Sequence, residues 1–174
     1  MAKNSREQID KDERKVLAEI QKNSNQNIDT IAKHCGFSRQ KVWRTIKHLE
    51  DNKTIWGYTA VADEEAEGLK HFALLVKRNT IPFDVSTKNE LIFENLDDYL
   101  PGVVKIDDIF FTHGSFDAVV TFYTSDLASA KKFIREILKR VGKYIKEILL
   151  LETIIPIRKK GIKNPHINKL VEYL

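Results

Sequence analysis

Apolar residues in the first fifty positions recur at spacings of three and four, the period of an amphipathic helix. Val16, Leu17 and Ile20 follow an Asp10-x-x-Glu13 capping pattern, which predicts a first helix from about residue 11 to residue 22. A polar break, 23–26, comes next.

Two further short apolar patterns continue this arrangement. Ile28, Ile31 and Ala32 predict a second helix that begins after the capping residue Asn27 and ends at Gly36, where glycine can adopt the left-handed conformation of a tight turn. A third helix is predicted after Ser38, with inward-facing residues at i, i+4 and i+7: Val42, Ile46 and Leu49. Three helices with a short glycine-containing turn predict a helix-turn-helix, winged-helix-like.

Positive charge is concentrated in this part of the chain. The formal net charge is +4; residues 1–62 carry 12 basic and 8 acidic side chains, whereas 63–174 carry 17 of each. Residues 30–49 contain no acid at all. A basic first third followed by a balanced remainder indicates two domains, the first facing a polyanion, although a solvated helix face would have the same composition.

The third helix is the element whose chemistry can be inferred from spacing. With its apolar residues inward, Gln40 and Arg44 lie one turn apart on the outer arc, where such side chains can pair with adenine and guanine edges. Arg39, Lys41 and Lys47 flank them and suit phosphates. Ser38, at the helix start, completes the predicted DNA-binding set. Trp43 is interpreted as packing against the first helix, with a base contact as the alternative.

The second part of the chain alternates between strand and helix patterns. Strands are predicted over 71–77, 103–113, 118–123 and 145–155, and helices over 87–99, before Pro101-Gly102, and after Ser125 or Asp126. The order β-α-β-β-α-β is that of a ferredoxin-like domain, so the predicted fold class is α+β.

The predicted sheet has apolar residues on both faces, although its two helices can cover only one. We assign Phe110, Val120, Phe122 and Leu150 to the uncovered face. An exposed apolar face of this size implies a partner.

The N-terminal motifs resemble those of the leucine-responsive/AsnC (feast/famine) transcription regulators. The resemblance runs through about 55 residues: Ile9-Asp10-x-x-Glu13-Arg14, Ile28-x-x-Ile31-Ala32, Gly36-Phe37-Ser38, Val42-x-Arg44-x-Ile46-x-x-Leu49-Glu50 and Ile55-x-Gly57-Tyr58-x-Ala60. Thr45 replaces a frequent second arginine, and Asn52-Lys53 replaces the usual Asp-Gly helix stop, for which Asn52 could adopt the left-handed turn. The resemblance implies sheet-to-sheet dimers, further assembly into tetramers or octamers, and double-stranded DNA as partner.

The resemblance also implies an effector site at the hairpin Gly114-Ser115-Phe116-Asp117. There an amino acid would meet exposed backbone amides and the Asp117 carboxylate. The same four residues also suit an ordinary hairpin turn, which is the alternative.

The resulting domain prediction is a DNA-binding domain over 1–60, a hinge over 61–70, an assembly and effector domain over 71–157 and a basic extension over 158–174. In that extension Ile167, Leu170, Val171 and Leu174 predict a short amphipathic helix of unassigned role.

Other function classes have weaker support in the sequence. The chain carries no Gly-x-x-x-x-Gly-Lys-Ser/Thr, Gly-x-Ser-x-Gly or His-Glu-x-x-His motif, so no catalytic residues are predicted. Cys35 is the single cysteine and is expected to be a small core thiol, and no metal or cofactor is predicted. Without a long apolar run the protein is expected to be cytoplasmic and not membrane-bound. An architectural DNA-binding protein and an enzyme resembling the sirohaem decarboxylases of the same architecture remain the alternatives.

Overall fold

The three predicted N-terminal helices are all present in the computed structural model, which describes residues 2–93 and 104–168. They are α1 (Ala2–Lys22), α2 (Ile28–Cys35) and α3 (Arg39–Asp51), and they belong to a first unit, residues 1–60. The predicted start of α1 was wrong. Residues 2–10 contain neither glycine nor proline, and Gln8 donates a hydrogen bond to Asp12 across one turn at 2.9 Å, so Asp10 lies inside the helix.

The inward residues of the three helices form the core of this first unit. Val16 and Val42 are fully buried and Leu49 nearly so, as the helical spacing predicts. Cys35 is buried with them, which confirms it as a core thiol, and burial raises its pKa. Asn52 was expected to adopt the left-handed conformation after α3, but its φ is −84° and Lys53 takes that conformation instead, at φ +62°.

The second unit, residues 61–174, is built on a four-stranded antiparallel sheet. Its strands are β1 (Lys70–Arg78), β2 (Lys105–Phe111), β3 (Ala118–Thr124) and β4 (Ile145–Glu152), in the spatial order β2-β3-β1-β4. Together with α4 (Val85–Phe93) and α5 (Leu127–Val141) they follow the β-α-β-β-α-β order, which confirms the ferredoxin-like α+β fold. Residues 94–103, including Pro101-Gly102, lie outside the described part of the chain.

One face of this sheet is buried against α5. Phe72, Leu74 and Phe122 have no exposed surface and share a cluster with Ala130 and Phe133 of α5. Val120 and Leu150 pack against the same cluster. The assignment of Val120, Phe122 and Leu150 to the uncovered face was therefore wrong, because pairing places them beside Leu74 and Phe72.

The opposite face presents a different set of apolar residues. Leu75 pairs with Val119 on one side and with Leu149 on the other, and Val119 pairs with Phe110. This row, called here the open face, runs across all four strands; Phe110 is 51% exposed and Leu149 is 42% exposed. A bulge between Ile106 and Asp108 shifts the alternation of β2, and this shift puts Phe110 on the open face.

The segment after β4 forms a small hairpin, which also belongs to the second unit. Its strands are β5 (Arg158–Lys159) and β6 (Ile162–Lys163), with Gly161 in a left-handed conformation between them. Lys159 pairs with Glu64, and Lys160 pairs with Asp108 at 2.5 Å. Most of the amphipathic helix predicted from Ile167, Leu170, Val171 and Leu174 falls on residues 169–174, outside the described range. None of the helices in the described residues is long and apolar enough to cross a membrane.

A polar cluster at the start of α4 fixes that helix to the end of α5. The Asp84 carboxylate accepts hydrogen bonds from the Thr87 backbone N–H at 2.8 Å and the Tyr144 hydroxyl at 2.6 Å. The Lys143 ammonium lies 3.1 Å from the same carboxylate. The hydrogen bond from Tyr144 is the largest of several contacts that hold the pKa of Asp84 far below its ordinary value.

We expect Asp84 to contribute to acid sensitivity. A carboxyl whose pKa is lowered by folding stabilises the native state above its unfolded pKa, about 3.9, and this stabilisation is lost as pH falls toward the native pKa. Asp84→Asn keeps the helix-capping geometry but removes the charge, so the melting temperature should fall less steeply below pH 4 than in the wild type. Glu147→Gln, at an exposed carboxyl of β4, is the matched control. Equal slopes in wild type and Asp84→Asn would contradict this assignment.

Candidate nucleic-acid interface

Three local features define the ends of α2 and the start of α3. Asn27 caps α2 by accepting the Thr30 backbone N–H at 2.8 Å. Gly36 ends that helix at φ +70°, in the left-handed region where side chains are disfavoured. Ser38 caps α3 by accepting the Lys41 backbone N–H at 3.2 Å. These contacts confirm the predicted caps and fix the direction in which α3 projects.

The outer surface of α3 contains the two side chains predicted to contact bases. Gln40 and Arg44 are both exposed and one helical turn apart. Within the described part of the chain, neither makes a side-chain hydrogen bond or ion pair. Their polar groups are therefore available for an external partner. Trp43, expected to pack against α1, lies on the same surface with 51% of its area exposed.

The three basic residues predicted to contact phosphates all have acidic partners. Arg39 lies 3.3 Å from Asp29, and both side chains are largely exposed. Lys47 lies 3.0 Å from Glu50, an i,i+3 pair on the helix surface. Exposed pairs of this kind contribute little, about 0–1 kcal/mol, so an incoming phosphate can replace the carboxylate.

Lys41 has a shorter ion pair than Arg39 or Lys47 and a second contact, with an aromatic ring. Its ammonium lies 2.5 Å from the carboxylate of Asp12 on α1 and 4.0 Å from the centre of the Phe37 ring. The hydrogen bond from Lys41 is the main reason that the pKa of Asp12 lies below its ordinary value. Lys41 thus fastens the first turn of α3 to α1.

Tyr58, which follows α3 along the chain, contacts this surface and was not identified from the sequence as part of it. The Tyr58 hydroxyl donates a hydrogen bond to Glu50 at 3.0 Å, and together with Lys47 it lowers the pKa of that carboxyl. Trp56 is 95% exposed. The Gly57-Tyr58 motif marked this segment, but pairing of Tyr58 with Glu50 depends on how the chain turns after Lys53.

The predicted effector hairpin is tied closely to the end of β1. The Arg78 backbone N–H donates to an Asp117 carboxylate oxygen at 2.8 Å, and the Asp117 N–H donates to the Val76 carbonyl at 2.9 Å. The Phe116 carbonyl accepts the Thr112 hydroxyl at 2.7 Å. Gly114 has φ +148° and, like Ser115, is exposed. One Asp117 oxygen is therefore engaged in the fold itself.

Among the described residues, no group of three or more histidine, cysteine, aspartate and glutamate side chains could hold a metal ion.

Comparison with known protein families identifies the N-terminal segment. Residues 9–55 match the winged helix-turn-helix DNA-binding family. Within residues 2–60 the structure has three helices and no strand, so the matched segment corresponds to the helical part of such a domain. A search of curated protein sequences gives no match.

Several solved structures share the fold of the chain. The feast or famine regulatory protein of Mycobacterium tuberculosis, complexed with L-methionine, has a TM-score of 0.68 at 15% identity, over 87% of this chain and 95% of its own. An AsnC family transcriptional regulator from Agrobacterium tumefaciens has 0.66 at 17%, over 91% and 97%. A transcriptional regulator from Neisseria meningitidis, in complex with L-methionine, has 0.65 at 16%, over 92% and 97%.

These identities are low, so the structural similarity concerns the fold. It extends over nearly the full length of both chains in each comparison. The chain thus has a winged helix-turn-helix DNA-binding segment at residues 9–55 and, over most of its length, the fold of the leucine-responsive/AsnC regulators that its sequence motifs resemble.

Proposed function

We propose that the protein is a sequence-specific DNA-binding transcription regulator that acts as a dimer or a higher even-numbered oligomer. The observation that carries the proposal is the exposed pair Gln40 and Arg44 on α3, inside the segment that matches a DNA-binding family. The first unit would bind DNA, and the second would provide self-association and a response to a small molecule. A regulator of this kind would act in the cytoplasm.

In this proposal the residues of α3 have three different tasks. Gln40 and Arg44 contact base edges in the major groove. Arg39 and Lys47 exchange their exposed acidic partners for phosphates. Lys41 keeps its contacts with Asp12 and Phe37, and its role is to position α3 rather than to bind phosphate.

Self-association in this proposal uses the open face. A continuous apolar row is formed by Leu75, Val119, Phe110 and Leu149. It lies on the face of the sheet opposite to the one that packs against α5. Two copies related by a twofold axis would bury this row face to face. The oligomer would then present two α3 helices to a symmetric DNA site.

The effector in this proposal is an amino acid or a related small molecule at the hairpin 114–117. Its ammonium group would pair with the Asp117 carboxylate and its carboxylate with exposed backbone amides. Support comes from the two neighbours of the same fold whose structures contain L-methionine.

The function as a whole is tested by selecting bound fragments from genomic DNA at physiological salt. A regulator should prefer its operator to random DNA by at least about 10³-fold, and the operator should be an imperfect palindrome. An architectural protein would instead bind most fragments with similar affinity. A ratio below about tenfold would therefore reject the regulator in favour of that alternative.

Substitutions on α3 should separate base contacts from phosphate contacts. Arg44→Ala should cost about 1–3 kcal/mol on the operator and relax the preference at one base position per half-site. Lys47→Ala should weaken binding to all sequences similarly and flatten the salt dependence. Lys41→Ala should lower the melting temperature of the first unit while leaving the salt slope nearly unchanged. Lys131→Ala, at an exposed residue of α5, is the control. Fluorescence anisotropy measures the DNA affinity of all four variants, and thermal denaturation measures their melting temperatures.

The opposite assignment would follow if Lys41→Ala flattened the salt dependence as much as Lys47→Ala does. A change of less than twofold for both Arg44→Ala and Gln40→Ala would show that α3 is not the recognition helix.

The open face should control the oligomeric state. Leu149→Asp places a charge in the row of four apolar residues and should convert the dimer to monomer, because burying an unpaired carboxylate is costly. Ile81→Asp alters an equally exposed apolar residue away from the row and should leave the dimer intact. Light scattering at micromolar concentration measures both variants. A monomeric wild type would remove the role of this face.

The hairpin should bind its effector through the charge of Asp117. Asp117→Asn retains an oxygen acceptor for the Arg78 N–H but removes the negative charge, so it should weaken binding of an ammonium-bearing ligand without loosening the hairpin. Calorimetry with the twenty amino acids measures the wild type and this variant. If no amino acid bound more tightly than about 1 mM, the hairpin would be a structural turn and the regulator independent of an amino-acid effector.

A further inference from the structure

A cleft lies at the end of the sheet opposite the hairpin 114–117. It has a volume of about 660 Å³ and is formed where β1 begins and where β3 and β4 end. The hairpin contacts Arg78, at the other end of β1, whereas the cleft reaches His71. At about 3.3 Å per residue along a strand, the two places are roughly 23 Å apart. A molecule bound in one would not contact the other within the same subunit.

The walls of this cleft carry two ion pairs, each between a lysine and a glutamate. Glu64 pairs with Lys159, and both side chains are mostly buried, with 11% and 21% of their surface exposed. Lys70 pairs with Glu152 at 2.7 Å, in a more exposed position. The cleft therefore has two carboxylates and two ammonium groups close together and no excess of either sign.

Hydroxyl and ring groups complete the lining. The His71 Nδ1 lies 2.7 Å from the Thr153 hydroxyl, and the His71 ring lies 4.9 Å from the Tyr123 ring. Burial lowers the pKa of His71, which keeps its imidazole neutral near pH 7. Burial also raises the pKa of Tyr123, so its hydroxyl remains protonated. These groups can hydrogen-bond a ligand without changing the charge balance of the cleft.

This charge arrangement selects a particular class of ligand. A simple anion would gain from the lysines but would be repelled by the adjacent carboxylates, and a simple cation would meet the reverse situation. A molecule with both an ammonium and a carboxylate can pair with both kinds of wall group. The volume lies within the range of about 300–1,000 Å³ that is usual for small-molecule sites.

We propose that this cleft is a second ligand site, which binds a zwitterion of the size of an amino acid or a dipeptide. The ammonium of the ligand replaces that of Lys159 at the Glu64 carboxylate, and the carboxylate of the ligand pairs with the released Lys159. This exchange keeps both buried charges paired, which avoids the large cost of leaving either one alone. The site lies wholly within the second unit and requires neither DNA binding nor the hairpin.

Lys159 connects this site to the small hairpin of β5 and β6. Its ammonium also lies 5.2 Å from the centre of the Tyr123 ring, and the adjacent Lys160 pairs with Asp107 and Asp108 on β2. Lys160 does not line the cleft. The two neighbouring lysines therefore offer a matched comparison, since each substitution removes an ion pair but only one of them removes a wall group.

Calorimetry on the full chain tests the proposal with a defined panel: the twenty free L-amino acids and the dipeptide Ala-Ala. The tightest binder is then compared with its N-acetylated and its C-amidated forms, each of which carries a single charge at its ends. We expect the zwitterion to bind at least about tenfold more tightly than either capped form. Lys159→Met and Glu64→Gln should each reduce that affinity at least tenfold, whereas Lys160→Met should change it less than twofold. Asp117→Asn is titrated alongside to identify any ligand that binds at the effector hairpin 114–117 instead.

Melting temperatures of all four variants are recorded alongside the titrations. If Glu64→Gln fails to fold, Lys159→Met against Lys160→Met still decides the question. Three results would overturn the proposal: no zwitterion in the panel binding below about 1 mM, capped forms binding equally well, or equal losses in Lys159→Met and Lys160→Met. Binding lost in Asp117→Asn but retained in Lys159→Met would place the ligand at the hairpin instead. DNA affinity is measured separately, so failure here leaves the regulator proposal intact.

Discussion

The pairing of β1 on both of its edges is the constraint on which the second unit depends. β3 and β4 are both hydrogen-bonded to this strand, over seven register pairs each. Because a one-residue slip would exchange the two faces, this pairing determines which side chains meet α5 and which form the open face. It also brings the hairpin to one end of the strand and the polar cleft to the other. The face proposed for assembly, the hairpin proposed for the effector and the cleft proposed as a second ligand site thus all include or contact residues of β1.

The first unit depends in a similar way on a contact between distant residues. Asp12 and Lys41 join α1 to the first turn of α3, and Phe37 lies beneath the same ammonium. The contact pairs one exposed basic side chain of the surface proposed for DNA with a carboxylate of α1, and it connects α1 to the helix that carries Gln40 and Arg44. Affinity for phosphate then rests on exposed ion pairs that can exchange partners, and base recognition on a helix that is already oriented.

Charge has different uses in the two units. In the first, an excess of basic residues favours a polyanionic partner, and Arg39 and Lys47 have acidic partners at the protein surface. In the second, equal numbers of acidic and basic residues produce local pairs, among them Glu64 with Lys159.

Local signals in the sequence were sufficient for the element order and for several individual caps. Asn27, Ser38 and Asp126 each accept a backbone N–H at a helix start, and Gly36 takes the left-handed turn, because these preferences depend on a few neighbouring atoms. The alternation of strands and helices likewise gave the ferredoxin-like order. The inward residues of α3, Val42 and Leu49, followed from helical spacing alone.

Only the tertiary structure decided features that depend on contacts between distant segments. From the sequence, Phe122 could lie on either face of its apolar strand, and its pairing with Phe72 places it on the buried face. The bulge in β2 places Phe110 on the open face. Lys41 looks like any other basic residue of α3 until Asp12, on another helix, neutralises it. The charged cleft has no motif, because Glu64, His71 and Lys159 meet only when three strand ends and the terminal hairpin come together. Preferences for helix caps, turns and helical spacing can thus be inferred from the sequence, whereas the partner of a side chain is determined by packing of the whole chain.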